Sequence, residues 1–227
     1  MGTLTLKQIN RLFWLGRYSE RLDTTLRYMM DYYDSMIDGT PAPYEEFCRM
    51  LTIPNIYDDR EVFWHDYLFD PENPDSMVTA AERMLDNGVM LRETIGTETF
   101  AYLQLAVNNL HKASSSTGPL VELQGVVDDI MAFRGSFDDY INDENIIMVI
   151  KAGTLLERIS LYLRLDYPDK KVLLEMKKLM NRLPMTPVRT RSSCLAEMLS
   201  VTSSGLLPSG RSSLIKAAEE LFLVDYD

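Results

Sequence analysis

The sequence predicts an all-α protein, a helical bundle built from two related halves that each open with a long helix. Apolar residues recur at spacings of three and four along most of the chain, and no stretch shows the alternation typical of strands. A short phrase also occurs twice, as GRYSERL at 16–22 and as GTLLERI at 153–159, a shift of 137 residues. Both observations favour a bundle whose two long helices correspond to each other.

The repeat extends beyond the two phrases. Seven further identities occur at the same shift: Leu26 and Leu163, Arg27 and Arg164, Pro71 and Pro208, Ser76 and Ser213, Ala80 and Ala217, Ala81 and Ala218, and Glu82 and Glu219. We therefore predict a single domain over 1–227, with repeats at 1–90 and 138–227 and inserted helices at 91–137.

The first long helix is expected at 5–37. Its apolar residues form the seam of a helix packed in a bundle, and Thr5 is a residue type that caps helix starts. Gly39, with Pro41 and Pro43, ends it. After Pro71 we expect Asn73 to cap the next helix, with Pro74 at its first position.

The other helices follow from the same spacings and from the prolines and glycines between them. They are predicted at about 44–51, 58–69, 74–93, 97–115 and 120–140, with the second long helix at about 143–166 and three short helices after Pro168.

Composition narrows the class of protein. A net charge of −11 disfavours nucleic acid, because that affinity rests on Lys and Arg neutralising phosphates. No apolar run is long enough to span a bilayer, and the start of the chain lacks the apolar core of a signal peptide. Two cysteines form no disulfide framework, so we expect a cytoplasmic protein.

The residues that bind metals and cofactors are sparse. Helical di-iron sites need Glu-x-x-His pairs, and neither His65 nor His111 follows a glutamate by three residues. No phosphate-binding glycine loop and no hydrolase nucleophile motif occurs. We predict no metal and no cofactor.

Each copy of the repeated phrase carries a glycine one turn before its glutamate. A glycine inside a helix costs roughly 1 kcal/mol relative to alanine, so its presence in both copies indicates that something approaches the backbone closely. Gly16 and Gly153 therefore place Glu20 and Glu157 in an interface.

The Glu-Arg pairs admit two interpretations. If the long helices pack about a pseudo-twofold axis, Glu20 reaches Arg158 and Glu157 reaches Arg21. Such ion pairs could fix the register of the bundle. Alternatively, a polar pocket between the halves could bind an anionic ligand and use a carboxylate as acid or base. The candidate residues for either role are Arg17, Glu20, Arg21, Glu157, Arg158, Arg92 and Arg134.

Five segments resemble the bacterial alpha-E domain proteins, a helical family of unknown function named for a Glu-Arg motif. They are residues 10–21, 69–77, 91–95, 133–135 and 153–158. Thr154 stands where the family pattern has an arginine.

The resemblance implies an association with other proteins rather than a reaction. Genes of this family tend to lie beside genes for ATP-grasp proteins and for transglutaminase-like proteases. ATP-grasp enzymes commonly join a carboxylate to an amine. Three hypotheses follow: a non-catalytic or substrate-presenting partner of an ATP-grasp-type ligase, an enzyme or small-molecule binder using the Glu/Arg pocket, and a structural assembly module. The sequence leaves open whether the protein catalyses any reaction.

Overall fold

The all-α prediction is confirmed. In a computed structural model of the chain, residues 4–39, 43–208 and 210–223 are described, and these residues form twelve α-helices and one short 3-10 turn. They contain no strand, although an isolated antiparallel bridge joins Thr190 to Phe222. Within the same residues, no helix combines the length and apolar character that crossing a bilayer requires.

The two longest helices are the two that carry the repeated phrase, and most helices follow the predicted order. The predictions of single helices at 74–93 and 120–140 are wrong, because each of these segments is divided into a long and a short helix, at Leu91 and at Ser136. The helices are α1 Leu6–Ile37, α2 Tyr44–Leu51, α3 Arg60–Phe69, α4 Met77–Met90, α5 Arg92–Ile95, α6 Thr97–Ala113, α7 Pro119–Gly135, α8 Phe137–Tyr140, α9 Glu144–Arg164, α10 Asp169–Arg182, α11 Ser192–Ser204 and α12 Ser212–Glu220, with the 3-10 turn at Leu183–Met185.

The start of α1 is capped as the sequence predicts. The Gln8 amide donates to the Thr5 hydroxyl over 3.2 Å, and the Thr5 amide donates to the Gln8 side chain over 2.9 Å. This reciprocal pair satisfies two amide groups that a helix leaves unpaired. At the other end, Gly39 adopts a left-handed backbone with φ of 68°. The predicted contribution of Pro41 lies outside the described residues.

The predicted cap of α4 is wrong. The helix begins at Met77, and the Ser76 hydroxyl accepts from the Thr79 amide over 3.2 Å. The Asn73 side chain instead accepts from the Asp75 amide and donates to the Tyr57 hydroxyl, each over 3.0 Å. Because these contacts hold Asn73 in the turn, Ser76 takes the capping role instead.

The chain divides into two compact units, one of Met1–Glu20 with Asp143–Asp227 and one of Arg21–Asn142. In the first unit, α9 packs against α10 and α12, and α11 packs against the same two helices. The predicted repeat at 1–90 and 138–227 stays a prediction.

The second unit has a helical hairpin of α6 and α7, with α4 packed on α6. Its other core is aromatic. The Phe63 ring has five aromatic neighbours at centroid distances of 5.1 to 5.5 Å: Tyr32, Tyr44, Phe47, Tyr57 and Tyr67. Aromatic pairs at these separations stabilise a core beyond their burial alone.

Candidate functional site

The two helical glycines mark a crossing of α1 and α9 at backbone contact. A Cβ atom added to Gly16 would lie 2.1 Å from the carbonyl oxygen of Ile150, and one added to Gly153 would lie 2.1 Å from that of Phe13. The predicted close approach is confirmed. The contact is also reciprocal, because the shift of 137 residues converts Gly16 into Gly153 and Phe13 into Ile150.

Thr154 lies in the same crossing. Its hydroxyl is 3.0 Å from the carbonyl oxygen of Ile150 and 3.3 Å from that of Gly16. A short hydroxyl fits against the neighbouring backbone at this position, so Thr154 adds a polar contact between the two helices.

Glu20 is buried one turn further along α1, with 1% of its surface exposed. Both of its oxygens accept hydrogen bonds from Arg158, over 2.6 Å from Nε and 2.7 Å from Nη2. Two parallel charge-assisted bonds are the strongest arrangement for this pair of groups. The expected pairing of Glu20 with Arg158 is confirmed.

Arg158 also connects this pair to α10. Its Nη1 donates to Glu175 over 3.3 Å, and the Lys178 ammonium donates to the same carboxylate over 2.6 Å. Burial alone would lower the pKa of Arg158, but the hydrogen bonds and charge of Glu20, with the charge of Glu175, raise it above its usual value. Arg158 is therefore a permanent cation here.

Glu157 is likewise 1% exposed and accepts from Arg17 Nε over 2.6 Å. The Arg17 guanidinium lies 4.7 Å from the centroid of the Trp14 ring, close enough for a cation–π contact. The expected pairing of Glu157 with Arg21 stays a prediction.

These groups form two sets of ion pairs, one around Glu157 and one around Glu20, which we call together the Glu-Arg cluster. It has three carboxylates and three cations: Glu20, Glu157 and Glu175, with Arg17, Arg158 and Lys178. Both oxygens of Glu20 already accept from Arg158, so an incoming ligand would have to displace a guanidinium that is held on two sides. The arrangement suits helix packing better than acid–base chemistry.

The other three candidate residues belong to the 21–142 unit. Arg134 Nη1 on α7 donates to Asp23 on α1 over 2.5 Å. The Arg92 guanidinium lies 5.6 Å from the Phe100 ring centroid. Burial raises the pKa of Tyr67, and the positive charge of Arg21 opposes that rise.

The sequence prediction missed Asp23, Glu175 and Lys178. Asp23 had a local signal, since it lies four residues before Arg27, with which it pairs over 2.7 Å. Glu175 had no such signal for its contact with Arg158, because the two lie on different helices.

Two depressions in the surface lie apart from the Glu-Arg cluster. One is a small apolar cavity in the first unit, whose lining includes Ile9, Phe13 and Phe222. The other is an open groove in the 21–142 unit. Neither is lined by any of the seven candidate residues. Among the described residues, no group of three or more His, Cys, Asp and Glu side chains is placed to hold a metal ion.

One family model matches residues 6–181 of the chain. The family is Alpha-E, described as a predicted alpha-helical domain with a conserved ER motif. Neither the curated proteins nor the solved structures contain a match to the chain.

Proposed function

This chain belongs to the alpha-E family, and we propose that it is a non-catalytic partner or substrate-presenting subunit of an ATP-grasp-type amide or peptide ligase. A transglutaminase-like protein is the second partner that we propose. In this role the helical surface binds the ligase or holds its substrate, and the ligase performs the chemistry.

The pairing within the Glu-Arg cluster supports the non-catalytic part of the proposal. Glu20 and Glu157, the glutamates of the two repeated phrases, are each 1% exposed and each bound by an arginine. A buried carboxylate paired in this way fixes how two helices meet, since breaking the pair leaves an uncompensated charge. The residues that name the family thus have a packing role in this chain.

A substrate pocket in the cluster has less support. Such a pocket needs convergent polar groups with free hydrogen-bonding capacity around a cavity. In this chain both oxygens of Glu20 already accept hydrogen bonds from Arg158, which leaves that carboxylate little capacity for a ligand. Thr154 also contacts backbone carbonyls at the position where a further arginine would extend a cationic site.

Reconstitution tests the proposal. The chain is co-expressed with the ATP-grasp-type and transglutaminase-like proteins of its own host and analysed by size-exclusion chromatography with light scattering. We expect a complex that contains the chain and the ligase. We also expect the chain alone to release no ADP from ATP in the presence of carboxylate and amine acceptors.

The variant Glu157→Gln separates the two roles of the cluster. At a temperature where this variant is folded, its complex with the ligase should form normally and release ADP at the normal rate. A folded variant whose complex is intact but inactive would contradict the non-catalytic role, and failure of the wild-type chain to bind either protein would contradict the partnership.

A further inference from the structure

The charge of the protein is divided unequally between its two units. Residues 21–142 contain 8 Lys and Arg against 22 Asp and Glu, a net charge of −14. Residues 1–20 and 143–227 contain 15 Lys and Arg against 12 Asp and Glu, a net charge of +3. The acidity therefore belongs to the 21–142 unit rather than to the protein as a whole.

The open groove lies on this acidic unit. It is formed where the end of α1 meets the start of α3, and its volume is about 410 Å³. Six residues line it: Tyr33, Met36, Ile37, Arg60, Glu61 and Trp64. Trp, Tyr, Met and Arg are the types enriched in the central parts of protein interfaces.

The floor of the groove is fixed in place. The Trp64 indole N–H donates to the carbonyl oxygen of Met29 over 3.1 Å, and the ring lies 4.7 Å from that of Tyr33, centroid to centroid. Ile37 stands at the rim with 69% of its surface exposed. An apolar side chain from a partner would enter a preformed site with little cost of reordering.

The segments around the groove are acidic. Residues 31–38 and 58–61 carry six exposed carboxylates against the single guanidinium of Arg60: Asp31, Asp34, Asp38, Asp58, Asp59 and Glu61. Opposite charges around an apolar centre accelerate association and exclude partners of the wrong charge.

We infer that this groove docks a basic amphipathic helical segment of a protein partner. Apolar side chains of the segment, spaced three and four residues apart, would lie against Trp64, Tyr33 and Met36. Lysines and arginines beside them would face the surrounding carboxylates, as expected for helix-in-groove recognition. The inference goes beyond the proposed ligase partnership. It rests on that proposal only in taking the chain to have a protein partner.

A synthetic peptide provides the probe. A fluorescein-labelled helical peptide of Leu, Lys and Ala carries leucines on one face and lysines on the rest, and its binding to the full chain is measured by fluorescence anisotropy. We expect saturable one-to-one binding that weakens as salt rises from about 20 mM to about 300 mM, because salt screens exposed charges.

Ile37→Glu is the decisive variant. It adds a negative charge, so attraction by charge alone would tighten, whereas docking in the groove predicts a Kd at least about tenfold higher. Val121→Glu is the matched control, since Val121 is 77% exposed on α7 and does not line the groove. This control should change the Kd by less than about twofold.

A second pair of variants tests the charges. The double variant Asp34→Asn/Asp38→Asn should weaken binding and reduce the dependence of the Kd on salt. The double variant Glu82→Gln/Asp86→Asn removes the charge of two exposed carboxylates on α4 and should have a smaller effect. Equal effects of the two pairs would indicate attraction to the acidic unit in general and would overturn the inference.

Three further results would overturn the inference. The first is the absence of saturable binding at low salt, and the second is binding that Ile37→Glu leaves unchanged. The third is a dimer in sedimentation experiments that Ile37→Glu dissociates, since the groove would then hold a second copy of the chain. Failure of the ligase partnership is distinguishable, because peptide binding would persist while no ligase complex forms.

Discussion

At the scale of single residues, the glutamates of the two repeated phrases are buried and paired with arginines. Glu20 and Arg158 form two hydrogen bonds, and Glu157 binds Arg17. Buried ion pairs of this kind often add little net stability, yet removing one partner strongly destabilises the protein because the other charge stays buried. The motif is therefore more sensitive to mutation than its net contribution to stability suggests.

We expect Glu20→Gln to lower the free energy of unfolding by about 3 kcal/mol, the lower end of the range for breaking a buried pair. The lower end applies because the Arg158 side chain is 23% exposed and keeps its contact with Glu175. Urea unfolding followed by circular dichroism measures the change.

Glu219→Gln is the control for this variant. Glu219 pairs with Arg164 but is itself 46% exposed, so its loss should cost less than about 1 kcal/mol. If the two variants destabilise the protein equally, burial does not distinguish the two pairs and the packing role of Glu20 is wrong.

At the scale of elements, the close crossing of α1 and α9 requires that Gly16 and Gly153 carry no side chain. The carbonyl oxygens of Ile150 and Phe13 lie only 2.1 Å from the positions that Cβ atoms on Gly16 and Gly153 would take. A backbone carbonyl cannot rotate away as a flexible side chain can, so the helices themselves would have to separate.

Gly16→Ala and Gly153→Ala should each destabilise the protein by about 3 kcal/mol or more, at or above the usual range for overpacking. Gly135→Ala, near the end of α7, is the matched control. No atom lies within 4 Å of its added Cβ, so the helix propensity of alanine should leave stability unchanged or raise it by up to about 1 kcal/mol. Thermal unfolding of the three variants measures these changes in stability. A small destabilisation by Gly16→Ala would contradict the backbone contact and would mean that the helices lie farther apart.

How much the sequence predicts depends on whether the signal is local. Most helix bounds, the Thr5 cap and the close approach of Gly16 were predictable because spacing, capping chemistry and glycine placement act within a few residues. The breaks at Leu91 and Ser136 were not predicted. The Glu20–Arg158 pair was predictable because the repeat supplied long-range information.

The rest required tertiary contacts that leave no local pattern. Asn73 has the chemistry of a cap, but its hydrogen bond to Tyr57, sixteen residues away, holds it in a turn. Glu175 joins the Glu-Arg cluster only because α10 packs on α9. The groove on the acidic unit combines residues of two helices and was likewise not visible as a pattern.

At the scale of the whole molecule, the acidic unit also contains the aromatic core around Phe63. Burial raises the pKa of Tyr32 and of Tyr57 to about 12, from an ordinary 10.0. Between these values the folded state holds protons that the unfolded state releases, so raising the pH favours unfolding.

The contribution of these two tyrosines to the free energy of unfolding should therefore be fully present below pH 10 and should fall as the pH approaches about 12. Tyr32→Phe removes one titrating group, so its melting temperature should fall less over this range than that of the wild type. Tyr140→Phe, at an exposed position, should follow the wild type. Melting temperatures measured across the alkaline range give the comparison; equal curves for the two variants would contradict the assigned role of Tyr32.

The melting temperature of Glu157→Gln tests the central claim most directly, namely that the Glu-Arg cluster holds α1 and α9 together and takes no part in chemistry. The account predicts a fall of about 6 °C or more, since an unpaired buried charge costs about 3 kcal/mol or more and each kcal/mol lowers the midpoint of a chain of this size by roughly 2 °C or more. An unchanged melting temperature, together with lost activity or lost partner binding, would contradict it and would assign the motif to function.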